Sequence, residues 1–106
     1  MSNIYYNPED YELAIIAEVE AGEPYSYDGV VIWRDANGWL FGGTDSTCSC
    51  YSPFDGIDST GKLTRIDSPA TALRLLDAKW GDNDYGFSPT AAQRADFRAK
   101  VKAALR

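Results

Sequence analysis

Two cysteines one residue apart are the most reactive side chains in the sequence, and both lie in the stretch "TDSTCSCYSPFDG". A zinc site takes four Cys or His ligands when it is structural, and at least three protein ligands when it is catalytic. The chain has no His, so Cys48 and Cys50 would need carboxylates such as Asp45, Asp55 and Asp58 to complete a site. One Cys-x-Cys pair with aspartates is an uncommon zinc arrangement.

The other chemical roles of the cysteine pair are also disfavoured. A Cys-x-Cys disulfide strains the preferred geometry, and redox enzymes more usually carry Cys-x-x-Cys at a helix N-terminus. In an extended segment Cys48 and Cys50 point to one face, where thiols behave as small apolar groups. We therefore expect them to be structural thiols: reduced, partly buried, metal-free, and placed just before a turn at Ser52-Pro53-Phe54-Asp55.

No other residue pattern marks a catalytic centre. Without His the commonest general base is missing, and no pair of carboxylates has the spacing of an acid/base dyad. Gly42-Gly43 is only a pair and does not form a phosphate-binding loop. The sequence predicts a protein that is not an enzyme and has no cofactor.

The charge is distributed unevenly along a chain whose net charge is −6. Residues 1–61 hold eleven acids and one base, and residues 62–106 hold five acids and nine bases. In the acidic part Glu12, Glu18 and Glu20 form a candidate acidic surface. The basic part ends in a stripe of Arg94, Arg98, Lys102 and Arg106, but a pI near 4.4 disfavours direct nucleic-acid binding.

The length of the chain predicts one domain, and its apolar pattern predicts the compartment. At 106 residues it can bury enough surface to fold as a single domain, 1–106, without covalent cross-links. The N-terminus has no charged region followed by an apolar run, and no segment reaches the ~20 apolar residues of a membrane span. We expect a cytoplasmic protein with no membrane partner.

Strand patterns fill the first part of the chain. "YELAIIAEVEA" at 11–21 is apolar at its odd positions and predicts a strand, with Glu18 and Glu20 on one face. "VVIW", "DANG" and "WLFG" predict a hairpin whose turn uses Asn37-Gly38. Gly42-Gly43 is expected to end or bulge the return strand, after which "TDSTCSCY" continues as a further extended piece.

Helix patterns fill the second part. Ser68 as N-cap and Pro69 at the first position begin a helix with Leu73, Leu76 and Trp80 on one face, and Gly81 stops it. Ser88 and Pro89 predict the same start for a second helix, which carries Phe97, Val101 and Leu105. Strands followed by helices predict an α+β fold: an antiparallel sheet of about three to four strands in 1–61, with two C-terminal helices in 62–106 packed on it.

The aromatic side chains exceed what one face of a small sheet must bury. Aromatic residues are enriched in the cores of interfaces, so the surplus predicts a partner-binding surface. The predicted surface consists of Trp33, Trp39, Tyr51, Pro53, Phe54 and Asp55.

Positions 28–56, about a quarter of the chain, resemble a family of small proteins encoded by phages of actinobacteria. The shared pattern is a hairpin with an aromatic return strand, an Asp-Ser-x-Cys-Ser-Cys segment and a Ser/Thr-Pro-Phe-acid turn. Thr47 stands where the pattern has glycine, and Asp55 where it has Glu.

The resemblance implies a phage accessory protein in the host cytoplasm but brings no catalytic residues. Combined with the aromatic and acidic residues, it predicts a protein that binds a host or anti-phage defence protein. Two alternatives are an acidic DNA mimic that inhibits a nuclease or DNA-binding protein, and a virion or assembly component.

Overall fold

The computed structural model describes residues 2–21, 26–48, 51–81 and 87–105. It contains four strands, two α-helices and two short 3-10 turns: β1 (Leu13–Glu20), β2 (Ser26–Asp35), β3 (Leu40–Cys48), β4 (Thr64–Ile66), α1 (Pro69–Trp80), α2 (Ala91–Ala104), and the turns Pro8–Tyr11 and Thr60–Lys62. The strands form one antiparallel sheet in the order β1-β2-β3-β4. The α+β fold class is confirmed, with α2 packed mainly against β1 and α1 against β2, β3 and β4.

Strand β1 contains an irregularity that explains its unusual apolar pattern. Its pairing with β2 shifts by one residue between Ile15 and Ala17, so Ile16 is an extra residue in the strand. The shift reverses the side to which odd-numbered residues point. Leu13 therefore joins the core on one side of the sheet, while Ala17 and Val19 join the core on the other.

The hairpin between β2 and β3 has its turn where the sequence predicts it. Asp35 organises the turn, because its Oδ1 accepts the N–H groups of Asn37 and Trp39, each at 2.9 Å. Gly38 supplies the left-handed backbone with a φ of 88°, as expected for glycine in a tight turn.

Strand β3 runs through Gly42 and Gly43, so the prediction of a break or bulge at this pair is wrong. The register with β2 is continuous from Ser26 opposite Cys48 to Arg34 opposite Leu40. The two glycines instead make room on opposite faces. A Cβ at Gly42 would lie 2.6 Å from a methyl of Leu75, and one at Gly43 would lie 3.2 Å from the Phe54 ring.

Helix α1 begins and ends as predicted. The hydroxyl of its N-cap Ser68 accepts the N–H of Thr71 at 3.2 Å, Pro69 is the first helical residue, and Gly81 follows the last. Its buried face consists of Ala72, Leu76 and Trp80, while Leu73 is partly buried.

Helix α2 begins later than predicted, at Ala91, and the assignment of Ser88 as its cap is wrong. Thr90 is the N-cap: its Oγ1 accepts the N–H of Gln93 at 3.0 Å, and the Gln93 Oε1 accepts the N–H of Thr90 at 2.8 Å. This reciprocal capping box requires a side-chain acceptor three residues after the cap. Three residues after Ser88 stands Ala91, which has none.

Both faces of the sheet are buried, whereas the sequence pattern predicted only that helices pack on it. The helices cover one face, and the core between them and the sheet consists of Ala17, Val19, Val30, Ile32, Leu40, Ile66, Ala72, Leu76, Trp80, Phe97 and Val101. The N-terminal segment and the connection after β3 cover the other face, where a second core consists of Ile4, Leu13, Tyr27, Val31, Trp33 and Phe54. The second core absorbs part of the apparent aromatic surplus. No helix in the described ranges is both long and apolar enough to cross a membrane.

Candidate functional site

The structure divides the residues of the predicted aromatic surface between the interior and the exterior. Trp33 is completely buried and its Nε1 donates to the carbonyl of Ile4 at 3.0 Å, while Phe54 is 3% exposed. Pro53 is also buried, whereas Trp39, Tyr51 and Asp55 are exposed. Trp33, Pro53 and Phe54 therefore support the fold and are not available as a contact surface.

Phe54 reaches the second core through a turn held by long-range hydrogen bonds. It has a left-handed backbone with a φ of 59°, and its N–H donates to the Asp45 carboxylate at 2.6 Å. The side chain of Asn3 donates to the carbonyl of Pro53 at 3.1 Å. The Phe54 ring then meets the Trp33 ring edge to face, with centroids 5.0 Å apart. Residues 53–56 form a turn without a helix, and the role of Asp45 was not predicted.

Glu18 lies between two tyrosines on the non-helical side of the sheet. The Tyr5 hydroxyl donates to Glu18 Oε2 at 2.6 Å, and the Tyr27 hydroxyl donates to the same oxygen at 2.8 Å. The two rings contact each other with centroids 5.2 Å apart. Gly29 makes space for this arrangement, because a Cβ there would lie 2.6 Å from Cζ of Tyr27.

Burial and the Glu18 carboxylate keep both tyrosines protonated. Burial, followed by the hydrogen bond to Glu18, raises the pKa of Tyr27 and that of Tyr5 well above the ordinary tyrosine value. Burial and the negative charge of Glu18 raise the pKa of Glu20. The neutral hydroxyls of both tyrosines therefore act as hydrogen-bond donors to Glu18.

Further exposed aromatic and acidic side chains adjoin this cluster in contact or in sequence. Tyr6 is 61% exposed and its ring contacts that of Tyr5, with centroids 5.2 Å apart. Tyr51, which is 65% exposed, and exposed Asp55 flank in sequence the turn whose Phe54 ring stacks on Tyr5. We define the tyrosine face by the residues Tyr5, Tyr6, Tyr27, Tyr51, Glu18, Glu20 and Asp55.

The predicted acidic surface is only partly brought together. Glu18 and Glu20 lie on the same side of β1, opposite Val31 and Gly29 of β2. Glu12 precedes the other end of the strand, about 20 Å away at the usual rise per residue. Its left-handed backbone, with a φ of 58°, closes the first 3-10 turn by donating its N–H to the Glu9 carbonyl at 3.1 Å.

None of the carboxylates of the tyrosine face is neutralised by a cation within the described residues. The ion pairs in these ranges are Lys62–Asp58, Lys79–Asp28, Arg94–Asp77 and Lys100–Asp96. Because carboxylates without a local cation remain available to a partner's Lys or Arg, the tyrosine face has the charge of a surface for a basic partner.

The ion pair between Asp28 and Lys79 anchors helix α1 to the sheet. Lys79 Nζ lies 2.7 Å from one carboxylate oxygen, and Trp80 Nε1 donates to the other at 3.0 Å. Burial alone would raise the pKa of Asp28, but the hydrogen bonds from Lys79 and Trp80 outweigh it and hold the pKa below its ordinary value. Because Lys79 and Trp80 both belong to α1 and Asp28 belongs to β2, these contacts serve the packing of the helix on the sheet.

The structure settles only the position of the first cysteine. Cys48 is the last residue of β3, as predicted, and Cys50 lies outside the described residues. Among the described residues, no three His, Cys, Asp or Glu side chains are grouped to hold a metal ion. The redox state, burial and metal content of the two thiols stay predictions.

The basic stripe on α2 is partly used within the fold. Arg94 pairs with Asp77 of α1 at 2.9 Å, whereas Arg98 and Lys102 are exposed. Arg106 lies outside the described residues. One side chain of the stripe therefore joins the two helices.

Comparison with known proteins identifies a family and no more. Residues 2–104 match the family described as a domain of unknown function, DUF7574, and the chain belongs to this family. No curated protein and no solved structure matches this chain.

Proposed function

We propose that this chain is a non-enzymatic phage accessory protein that binds a host or anti-phage defence protein through the tyrosine face. The observation that carries the proposal is that Tyr6 and Tyr51 are exposed, while the carboxylates of the tyrosine face form no ion pair within the described residues. Tyrosine is enriched among the residues that dominate binding energy at protein interfaces. The phage assignment is supported by the resemblance of positions 28–56.

The arrangement of Glu18 favours recognition of a basic group. Two tyrosine hydroxyls hold one of its oxygens, so the carboxylate is oriented before a partner arrives. Preorganisation lowers the entropic cost of binding because less side-chain freedom is lost in the complex. A partner that places Lys or Arg near Glu18 and Glu20, and apolar side chains on the exposed rings of Tyr6 and Tyr51, fits this face.

The experiment uses the tagged protein as bait in the lysate of an actinobacterial host. The captured protein is then purified, and its affinity is measured by calorimetry for the wild type, Tyr51→Ala and Arg98→Ala. Arg98 is the control because it is also exposed but lies on α2, outside the tyrosine face. We expect Tyr51→Ala to weaken binding by about tenfold or more and Arg98→Ala to change it by less than about twofold. Equal affinities for the wild type and Tyr51→Ala would contradict the proposal.

A DNA mimic is the second candidate, and the unpaired carboxylates of the same face support it. Salt dependence separates the two, because a mimic replaces phosphates and its affinity must fall steeply as salt rises. Glu18→Gln with Glu20→Gln should then weaken binding more than Tyr51→Ala does. We expect the reverse order, with Tyr51→Ala the more damaging change and a shallow salt dependence.

A further inference from the structure

A groove at the hairpin end of the sheet is built from residues that the tyrosine face does not use. It has a volume of about 330 Å³, and its walls include Trp39, Leu40, Arg65, Ile66, Asp67 and Leu105. Trp39 directly precedes β3 and stands eight positions before Thr47, which pairs with Tyr27 of the tyrosine face. At the usual rise per residue this is about 27 Å, so the two surfaces lie at opposite ends of the strands.

The Arg65 guanidinium lies over the exposed aromatic ring of the groove. Its guanidinium carbon is 3.2 Å from the centroid of the Trp39 ring system, and the Trp39 side chain is 45% exposed. Strand β4 fixes this contact, since Arg65 pairs with Phe41 in the sheet. Stacking leaves the N–H groups in the guanidinium plane pointing outward, where they can donate to a ligand.

Asp67 in the wall of the groove and Asp35 in the hairpin turn form hydrogen bonds within the fold, and neither forms an ion pair with Arg65. Asp67 Oδ1 accepts the hydroxyl of Thr71 at 2.9 Å, and Asp35 Oδ1 accepts two backbone N–H groups of the hairpin turn. No carboxylate of the described residues forms an ion pair with Arg65. Arg34, the partner of Leu40 in the sheet, is a second exposed cation at this end.

We infer that the Trp39 groove binds an acidic peptide segment of a partner protein, with a Glu or Asp carboxylate on the Arg65 guanidinium. A planar guanidinium matches a carboxylate in a two-hydrogen-bond geometry, and its position on the indole makes it preorganised. Leu105 is only partly buried and offers an apolar contact to the aliphatic side chain beside that acid, while Leu40 and Ile66 are buried beneath the groove. The inference is independent of the tyrosine face.

Nucleic acid is the less suitable ligand for this groove. A base would stack on the indole of Trp39, but the Arg65 guanidinium already covers one of its faces. A net charge of −6 also repels an extended polyanion more than it repels a single carboxylate.

The test compares two libraries of N-acetylated, C-amidated heptapeptides that differ only in a central Glu or Gln. Binding is followed by iodide quenching of tryptophan fluorescence. This signal reports on Trp39, because Trp33 and Trp80 are 0% and 2% exposed. We expect the Glu library to bind the wild type roughly fivefold to tenfold more tightly than the Gln library.

Two charge reversals provide the variant and its control. Arg65→Glu should abolish the preference for Glu, whereas Lys62→Glu, the same charge change at an exposed neighbour, should retain it. Equal binding of the Glu and Gln libraries to the wild type would overturn the inference. So would a fluorescent oligothymidylate that binds the wild type and is lost in Arg65→Glu, since the groove would then be a nucleic-acid site.

Discussion

At the scale of single residues, Tyr27 is both buried in the second core and hydrogen-bonded to a surface carboxylate. Its ring belongs to the second core and its hydroxyl donates to Glu18 at 2.8 Å, so one side chain joins the interior to the tyrosine face. In the folded protein the raised pKa keeps this hydroxyl neutral at pH values where the unfolded chain ionises. The stability that Tyr27 contributes is therefore complete below the ordinary tyrosine pKa of 10.0 and is lost as the pH rises above it.

Replacing Tyr27 with Phe tests this coupling. We expect Tyr27→Phe to lower the free energy of unfolding by about 1 kcal/mol near neutral pH, because the hydrogen bond to Glu18 is lost. Above about pH 10 the stability of the variant should fall less steeply than that of the wild type, with Tyr5 causing the remaining decline. Urea unfolding across this pH range measures both effects. Tyr6→Phe is the control, and identical pH profiles for Tyr27→Phe and the wild type would disprove the coupling.

Residue types were easier to predict from the sequence than the side of the sheet on which each residue lies. The sequence pattern assigned the aromatic residues to a partner-binding surface, but Trp33 and Phe54 are buried. Their burial depends on the shift in β1 and on the Asp45 hydrogen bond to Phe54, which joins residues nine positions apart. Local patterns do not contain such long-range contacts.

The elements were predicted well in kind and less well at their ends. The hairpin and α1 follow from turn and capping residues that act within four positions of one another. The start of α2 was misplaced because Ser88-Pro89 and Thr90 offer competing caps, and only Thr90 has Gln93 at the position that completes a capping box. Strand β4 has three residues, too few to show a period.

Thr90→Ala is the direct test of the α2 boundary. It removes the acceptor for the Gln93 N–H, so we expect a loss of about 1 kcal/mol of stability. Ser88→Ala is the matched control and should leave the stability unchanged, since Ser88 precedes the cap. Thermal unfolding of both variants measures the two losses of stability. A larger loss for Ser88→Ala than for Thr90→Ala would show that Ser88 is the N-cap of α2.

At the scale of the whole molecule, the sheet separates a helical layer from an irregular layer that carries the tyrosine face. The irregular layer is held by its own core, in which Phe54 contacts Tyr5, Tyr27 and Trp33. The surface that we assign to binding therefore rests on a buried aromatic cluster. Changes in that cluster must affect folding before they affect binding.

Phe54→Ala and Trp39→Ala should thus have very different effects on stability. Loss of the buried Phe54 ring should cost about 3 to 5 kcal/mol, while loss of the exposed Trp39 ring should cost less than about 1 kcal/mol. Chemical unfolding followed by circular dichroism gives both values. Because Phe54→Ala can unfold a domain of ordinary stability, Phe54→Leu serves as a milder variant with a cost of about 1 kcal/mol. Equal costs for the alanine variants would show that the second core does not support the fold.

The measurement that tests the central claim most directly is photo-cross-linking in the host cell. A benzophenone amino acid is placed at Tyr51 in one variant and at Arg98, an exposed position on the helical layer, in another. If the tyrosine face is the binding surface, the Tyr51 variant forms a cross-link to one host or defence protein, and the Arg98 variant does not. A cross-link formed from Arg98 and absent from Tyr51 would contradict the account, because the partner would then contact the helical layer.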